Sequence, residues 1–550
     1  MKFGTIVTLV FILTATTQTF ASSFHDERQT SLKLFDAYLK EVDRLDGDGL
    51  LPRHNRKLPW NQLTQKLRSE LKKSQSRMEM GRVFTRLDAA YTNLHAHIRL
   101  NPEYDFTSEG RPMIAASFQP EFIKEDGSVP KYLIANVRKE YFIHLEPNQR
   151  PNKGDEVIAI NGVAIKKWSD ENFEFCKFPL RNQCESDFWE NFRKENLSWY
   201  RRQALTYTLK RDGKKIDVKI PVYARTENTL SSNGGDSKPA PCGLEPVRYP
   251  NFDLIYQGYK ACVYENKAIP DTALLRIRNF RYKKGEPVND IDQVSKEVER
   301  FAKKYWDKKS KSIKHLIIDV VDNGGGDIVT DWSAQFLDQP FQDQWVQFKK
   351  TKELEDLEWR KNAFYEDKGK FRIYDNLRAS EKWSLIKDGD FLPAMPQFCY
   401  SNNGDCLTEK FPVQSAAYKG KITILTDQWC ISSCVGFVWT LKHYLKDRVQ
   451  FAGIPDSGDS TYSRTYIEGA FVEDGKKFKL STYPRPPQSR AEVSKEGFFR
   501  AAISTSRSTD ESGTVISGIP MKMDYFSSPK WDEDSESWVA RLIKTVTENP

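Results

Sequence analysis

Histidine is scarce in this chain, with seven in 550 residues, and the eight cysteines form no C-x2-C pair. Both shortages argue against a structural zinc site, which draws four ligands from closely spaced Cys and His. No Gly-x-x-x-x-Gly-Lys-Ser/Thr follows a strand, so a phosphate-cradling P-loop is excluded. The Gly-x-Ser-x-Gly elbow that carries the nucleophile of lipases and esterases is absent as well. Past the N-terminus no 18 residues run apolar in succession, so no later spanning helix is expected. Charge of one sign is also lacking. Lys and Arg number 84 against 76 Asp and Glu, a net +8 without a compact basic cluster interleaved with aromatics. Nucleic acid is therefore not expected as a partner.

What is present reads as a folded protein of several domains. The chain is 39% apolar and 13% aromatic, and its length suits two to four cores. "MKFGTIVTLVFILTATTQTFASS" opens with one Lys, continues as a short apolar run and ends on the small residues that precede signal cleavage. Residues 1–21 are expected to be a secretory signal, with the mature chain starting near Ser22 and no membrane span after cleavage. Export to the periplasm or the outside makes the even cysteine count interpretable as disulfides. The simplest pairing is local: Cys176 with Cys184, Cys242 with Cys262, Cys399 with Cys406, and Cys430 with Cys434.

Apolar and charged residues alternate at helical spacing from 29 to 100, so 22–103 reads as a helical region. It ends in "TNLHAHIRL", where two histidines flank Ala96. From 104 to 225 the pattern changes to short β-branched runs, with a hairpin signal at Arg211-Asp212-Gly213. Within it "KGDEVIAINGVAI", residues 153–165, resembles the later strands of a PDZ domain, and the stretch with Cys176 and Cys184 would be an insertion. Such domains bind extended peptides at a sheet edge. Gly, Ser, Pro and Asn dominate the following residues, and 226–268 is assigned as a linker. From 269 to 550, strand, helix, strand and Gly-rich loop follow one another in the grammar of parallel β/α crossovers. Residues 335–410 are charged, aromatic and weakly periodic, an insertion expected to pack on that core. The fold class is α/β, mixed α+β and multidomain.

Two segments carry chemistry. "LIIDVVDNGGGD", residues 316–327, ends a buried strand in three glycines that can present bare backbone N–H groups. "ITILTDQWCISSCVGFVWTLK", from 422, takes a strand through a Cys-Ile-Ser-Ser-Cys turn into a helix. A serine there stands at a helix N-terminus, where the dipole and unpaired N–H groups favour an oxyanion. A nucleophile on one segment and a donor loop on the other would complement each other.

In pattern and order these segments resemble the S41 peptidases, which include the C-terminal processing proteases and the tricorn core. The PDZ-like stretch lies before both, as in that family. The resemblance implies Ser432 as nucleophile, with Ser433 and Gly325 (or Gly324) as oxyanion donors. One branch takes its base from a Lys about 25 residues past the serine, but 449–475 contain no Lys. The other branch, which includes the tricorn core and the chlamydial protease-like activity factor, uses a His after the N-terminal helices in a motif close to Leu-x-Asp-x-His. On that motif His97 is the base, His95 occupies the Asp position and remains the alternative base. The branch's third member, a Glu roughly 60 residues past the nucleophile, falls on Glu492, with Glu468 and Glu496 as substitutes.

The resemblance thus implies an exported serine endopeptidase that cleaves unfolded or extended protein chains and needs no cofactor or metal. Its partners are protein or peptide substrates. The oligomeric state is left open, a homodimer included. Val435, in place of the family's Glu, and Val320 and Val321, in place of its Arg-containing loop, depart from the pattern. They support a rival in which the chain is a catalytically silent peptide-binding scaffold.

Overall fold

The fold is that of a computed structural model that describes residues 24–47, 59–90, 93–100, 112–191, 204–224, 249, 251–280, 291–326, 329–364, 367–401, 405–413, 418–460, 464–471, 478–483 and 497–548. The assigned signal segment, most of the linker, Cys242, Glu492 and Glu496 lie outside the described residues.

Three helices, Phe24–Leu45, Trp60–Lys73 and Arg77–Ala90, open the described chain. The second buries Leu63, Thr64, Leu67 and Leu71, a single stripe at helical spacing. These helices share a core with Ala501 and Ile503 of the strand Gly497–Ser504. That strand belongs to a four-stranded sheet in the order 97–100, 497–504, 464–471, 478–483, and His97 pairs there with Ala502.

Residues 116–220 form a six-stranded antiparallel sheet. Two of its turns are dictated by sequence. Asn161 and Gly162 have φ of 50° and 77°, and Asp212 and Gly213 have 49° and 78°. Two successive left-handed residues make the tight hairpin turns for which Asn-Gly and Asp-Gly are suited.

The largest sheet has seven strands in chain order: Phe252–Gln257, Ala261–Asn266, Thr272–Ile277, His315–Asp319, Lys421–Thr426, Val449–Gly453 and Tyr525–Phe526. Its first two pairings are antiparallel and the other four parallel. Every residue of Thr272–Ile277 and His315–Asp319 is buried, because helices cover both faces. Helices Ile291–Phe301 and Ser433–Leu445 contribute to one core. On the other core, Trp538, Val539, Leu542, Ile543 and Val546 of helix Ser535–Glu548 are buried. Residues 345–395 add a small sheet, Trp345–Phe348 with Met395–Pro396 and Ser506–Thr509, and a separate apolar cluster. No described helix is long and apolar enough to cross a membrane.

Cys176–Cys184, Cys399–Cys406 and Cys430–Cys434 are disulfides. Cys262 is also disulfide-bonded.

Candidate active site

Parallel pairing decides where the site is. Asp319 and Leu425 are register partners, so both strands end side by side and feed their following loops to the same edge. Carboxyl ends of parallel strands are where α/β sheets gather their ligands.

Ile422 to Thr426 are buried and hydrogen-bonded on both sides. The chain then turns through Asp427 to Ile431 and enters helix Ser433–Leu445 at Ser432, the N-cap residue. A serine in that place normally turns its oxygen onto the first helical N–H groups. Ser432 makes no such bond. Its backbone stands at φ 62°, ψ −124°, a conformation that costs a non-glycine residue about 1–3 kcal/mol and persists only where its surroundings enforce it. Those surroundings are visible. The Cys430–Cys434 disulfide spans the turn with Cα atoms 5.2 Å apart, and Ser457 donates from both its N–H and its hydroxyl to the Cys430 carbonyl. Ser432 itself donates its N–H to the Asp459 carbonyl at 2.6 Å.

The Gly-rich loop presses against the same turn. A Cβ placed on Gly325 would lie 2.3 Å from the Ile431 carbonyl oxygen, 2.8 Å from the Ser432 Cβ and 3.0 Å from the Ser433 nitrogen. Gly325 also has φ of 77°, so both space and backbone require glycine there. The Ser433 hydroxyl donates to the Gly326 carbonyl at 3.1 Å and ties helix to loop. Asn323 organises the loop from within, donating to the Ile277 carbonyl and accepting the Gly325 N–H at 3.0 Å. That N–H, assigned to an oxyanion from sequence, is thus engaged in this arrangement.

The two histidines lie on one segment in different settings. Asn93 accepts the N–H groups of His95 and Ala96 and turns the chain into the strand His97–Leu100. Asp459 binds the segment from the other side. Its Oδ2 accepts the Leu94 and His95 N–H groups at 2.7 and 3.1 Å, and its Oδ1 lies 3.0 Å from His95 Nδ1. One buried carboxylate residue therefore holds His95 with its side chain and Ser432 with its backbone. Sequence reasoning missed Asp459, since "GIPDSGDS" carries no motif and its role arises only when three distant segments meet. His97 follows two residues on and is half-buried. Glu468 lies on the strand Arg464–Phe471, opposite Arg500.

Asp427, five residues before Ser432, is buried. Asp427 accepts the Asp322 and Trp429 N–H groups through Oδ1, yet burial pushes its carboxyl up to about 7. Among the described residues no group of His, Cys, Asp and Glu is arranged to hold a metal ion.

Residues 271–497 match the model of peptidase family S41, a span that holds both the Gly-rich loop and the Ser432 turn. No curated protein matches it in sequence. Among solved structures, mature CPAF complexed with lactacystin is similar at 13% identity and a TM-score of 0.54, covering 95% of this chain and 99% of that one. A CPAF mutant gives 13% identity and 0.55, over 94% and 96%. The chain is thus similar in fold to CPAF along nearly its whole length.

Proposed function

We propose that the chain is an exported serine endopeptidase that cuts unfolded or extended protein chains through an acyl-enzyme on Ser432. The observation that carries this reading is the Ser432 turn: a strained serine, released from capping, at a helix start and against a glycine loop. As His97 accepts the Ser432 hydroxyl proton, Oγ attacks the peptide carbonyl, and Glu492 orients the imidazole. The proton then passes to the departing amine as the peptide bond breaks, and water repeats the sequence to free the acyl group. Ser433 N–H is the oxyanion donor beside the nucleophile. Gly325 N–H joins it once it leaves Asn323 Oδ1, a small loop movement on substrate binding.

A second reading of the base has its own support. His95 Nδ1 is in contact with a carboxylate, the relation that fixes a catalytic imidazole, and Asp459 also touches Ser432. In that reading His95 and Asp459 replace His97 and Glu492. The antiparallel sheet at 116–220 serves as the PDZ-like element, adding an extended substrate at its edge.

The test is labelling of the full chain with a fluorophosphonate, followed by mass spectrometry of the modified peptide. The reading expects one adduct on Ser432. An adduct elsewhere, or none under conditions where a control serine peptidase reacts, would refute it.

A further inference from the structure

We propose that the cleft between the 116–220 sheet and the catalytic strand ends binds a cationic side chain, an arginine or lysine of the substrate. The word substrate rests on the function proposed above, whereas the binding of a cation does not.

The cleft has a volume of about 350 Å³, within the range of small-ligand pockets, roughly 300–1,000 Å³. Glu185 lines one side, Asp322, Asp427 and Gln428 another, and Glu533 and Trp538 a third. Asp427 stands five residues before Ser432 and Asp322 three before Gly325, so the loops that shape the nucleophile also wall the cleft.

The lining carries four carboxyls, on Glu185, Asp322, Asp427 and Glu533, against the single ammonium of Lys530. Glu533 is taken by Arg541 at 2.6 Å, and Asp322 has Arg278 3.6 Å away. Lys530, also in the lining, gives its backbone N–H to Glu533. Glu185 is 1% exposed. Its Oε1 accepts from Tyr132 and Ser169 and lies 3.7 Å from Arg181, but its Oε2 is buried with no hydrogen-bond partner among the described residues. Gln428 is 4% exposed, and its Oε1 is equally without one among those residues. Asp427 has its described hydrogen bonds on Oδ1 alone.

Buried acceptors without donors are costly, and they specify what would relieve them. A guanidinium or ammonium group supplies both donors and charge, and charge-assisted bonds of this kind are about twice as strong as neutral ones. An anion would meet two buried carboxyls. Burial pushes Glu185, like Asp427, up to about 7, so a cation entering the cleft favours the ionised form of both. Trp538 Nε1 has no acceptor among the described residues, which leaves one donor for a carbonyl oxygen of the same ligand.

The experiment is calorimetric titration of the full chain with N-acetyl-arginine amide and with its uncharged isostere, N-acetyl-citrulline amide. The arginine compound is expected to bind at least tenfold tighter. Asp427→Asn and Glu185→Gln should each reduce its affinity at least tenfold, about 1.4 kcal/mol. Equal affinity for the two compounds, or a preference that survives both substitutions, would overturn the proposal. Circular dichroism checks that the variants fold. Should Asp427→Asn unfold, Glu185→Gln and the arginine–citrulline comparison on the unaltered chain decide. Arginine preference without fluorophosphonate labelling would keep the pocket and refute the peptidase mechanism. Labelling of Ser432 without arginine preference would do the reverse.

Discussion

Gly325→Ala places a methyl group where the structure has no room for one. The new Cβ would sit 2.3 Å from the Ile431 carbonyl and 2.8 Å from the Ser432 Cβ, both part of the Ser432 turn. The left-handed φ of 77° alone costs an L-residue about 1–2 kcal/mol. Relief of the overlap requires the loop or the Ser432 turn to move by about 1 Å, since ordinary contact begins near 3.4 Å. Such strain in packed surroundings adds roughly 1–3 kcal/mol, for a total near 2–5 kcal/mol. A shift of 1 Å at a nucleophile costs about 100-fold in rate. Gly324→Ala is the internal control, because nothing lies within 4 Å of its Cβ and its φ is not left-handed. Urea denaturation and fluorophosphonate labelling rates would be measured for both variants. Gly325→Ala should lose several kcal/mol and label about 100-fold more slowly, while Gly324→Ala stays near the parent on stability. Equivalent behaviour of the two variants would refute the contact between glycine loop and serine turn.

Other consequences follow from the same geometry. His97→Ala is expected to lower the casein-cleavage rate by about 10²–10⁴, the usual worth of a general base, and His95→Ala by less; the opposite ranking would move the base to the His95–Asp459 pair. Joint replacement of Cys430 and Cys434 by Ala should cost roughly 2 kcal/mol for so short a loop and slow labelling of Ser432 more than tenfold; unchanged labelling would mean the disulfide does not hold the turn. Asp427 gives a pH effect of defined sign. Its folded carboxyl titrates near 7, raised first by burial, against about 3.9 unfolded. Between those values the folded state holds a proton that the unfolded state has lost, so this residue's contribution to stability falls as pH rises from about 4 to 7. Asp427→Asn should remove that slope, worth of order a few kcal/mol across the window at about 1.4 per pH unit. Urea curves at pH 4.5 and 7.5 that shift equally for parent and variant would contradict it.

The strand-to-loop grammar of the site was legible in sequence because it is local. Buried β-branched runs ending in Gly-Gly-Gly and in Cys-Ile-Ser-Ser-Cys specify their own turns, and parallel register then aligns them. Asn161-Gly162 and Asp212-Gly213 were legible for the same reason, as only a few residue types accept two left-handed positions. Asp459 was not, for its carbonyl and carboxylate acquire meaning only from Ser432 and His95, 27 and 364 positions earlier. Nor could sequence show that Asn323 accepts the Gly325 N–H, since a side chain's choice between a loop and a substrate depends on the loop's final shape. The acidic cleft escaped for a related reason. Glu185 and Asp427 sit in unrelated segments, and each alone reads as surface charge.

A peptidase with Ser432 as its nucleophile would lose cleavage of reduced casein in the Ser432→Ala variant, measured beside the full parent chain. Fragments are expected from the parent and intact casein with the variant. Equal digestion by both, or none by either under conditions where the parent is folded, would contradict it.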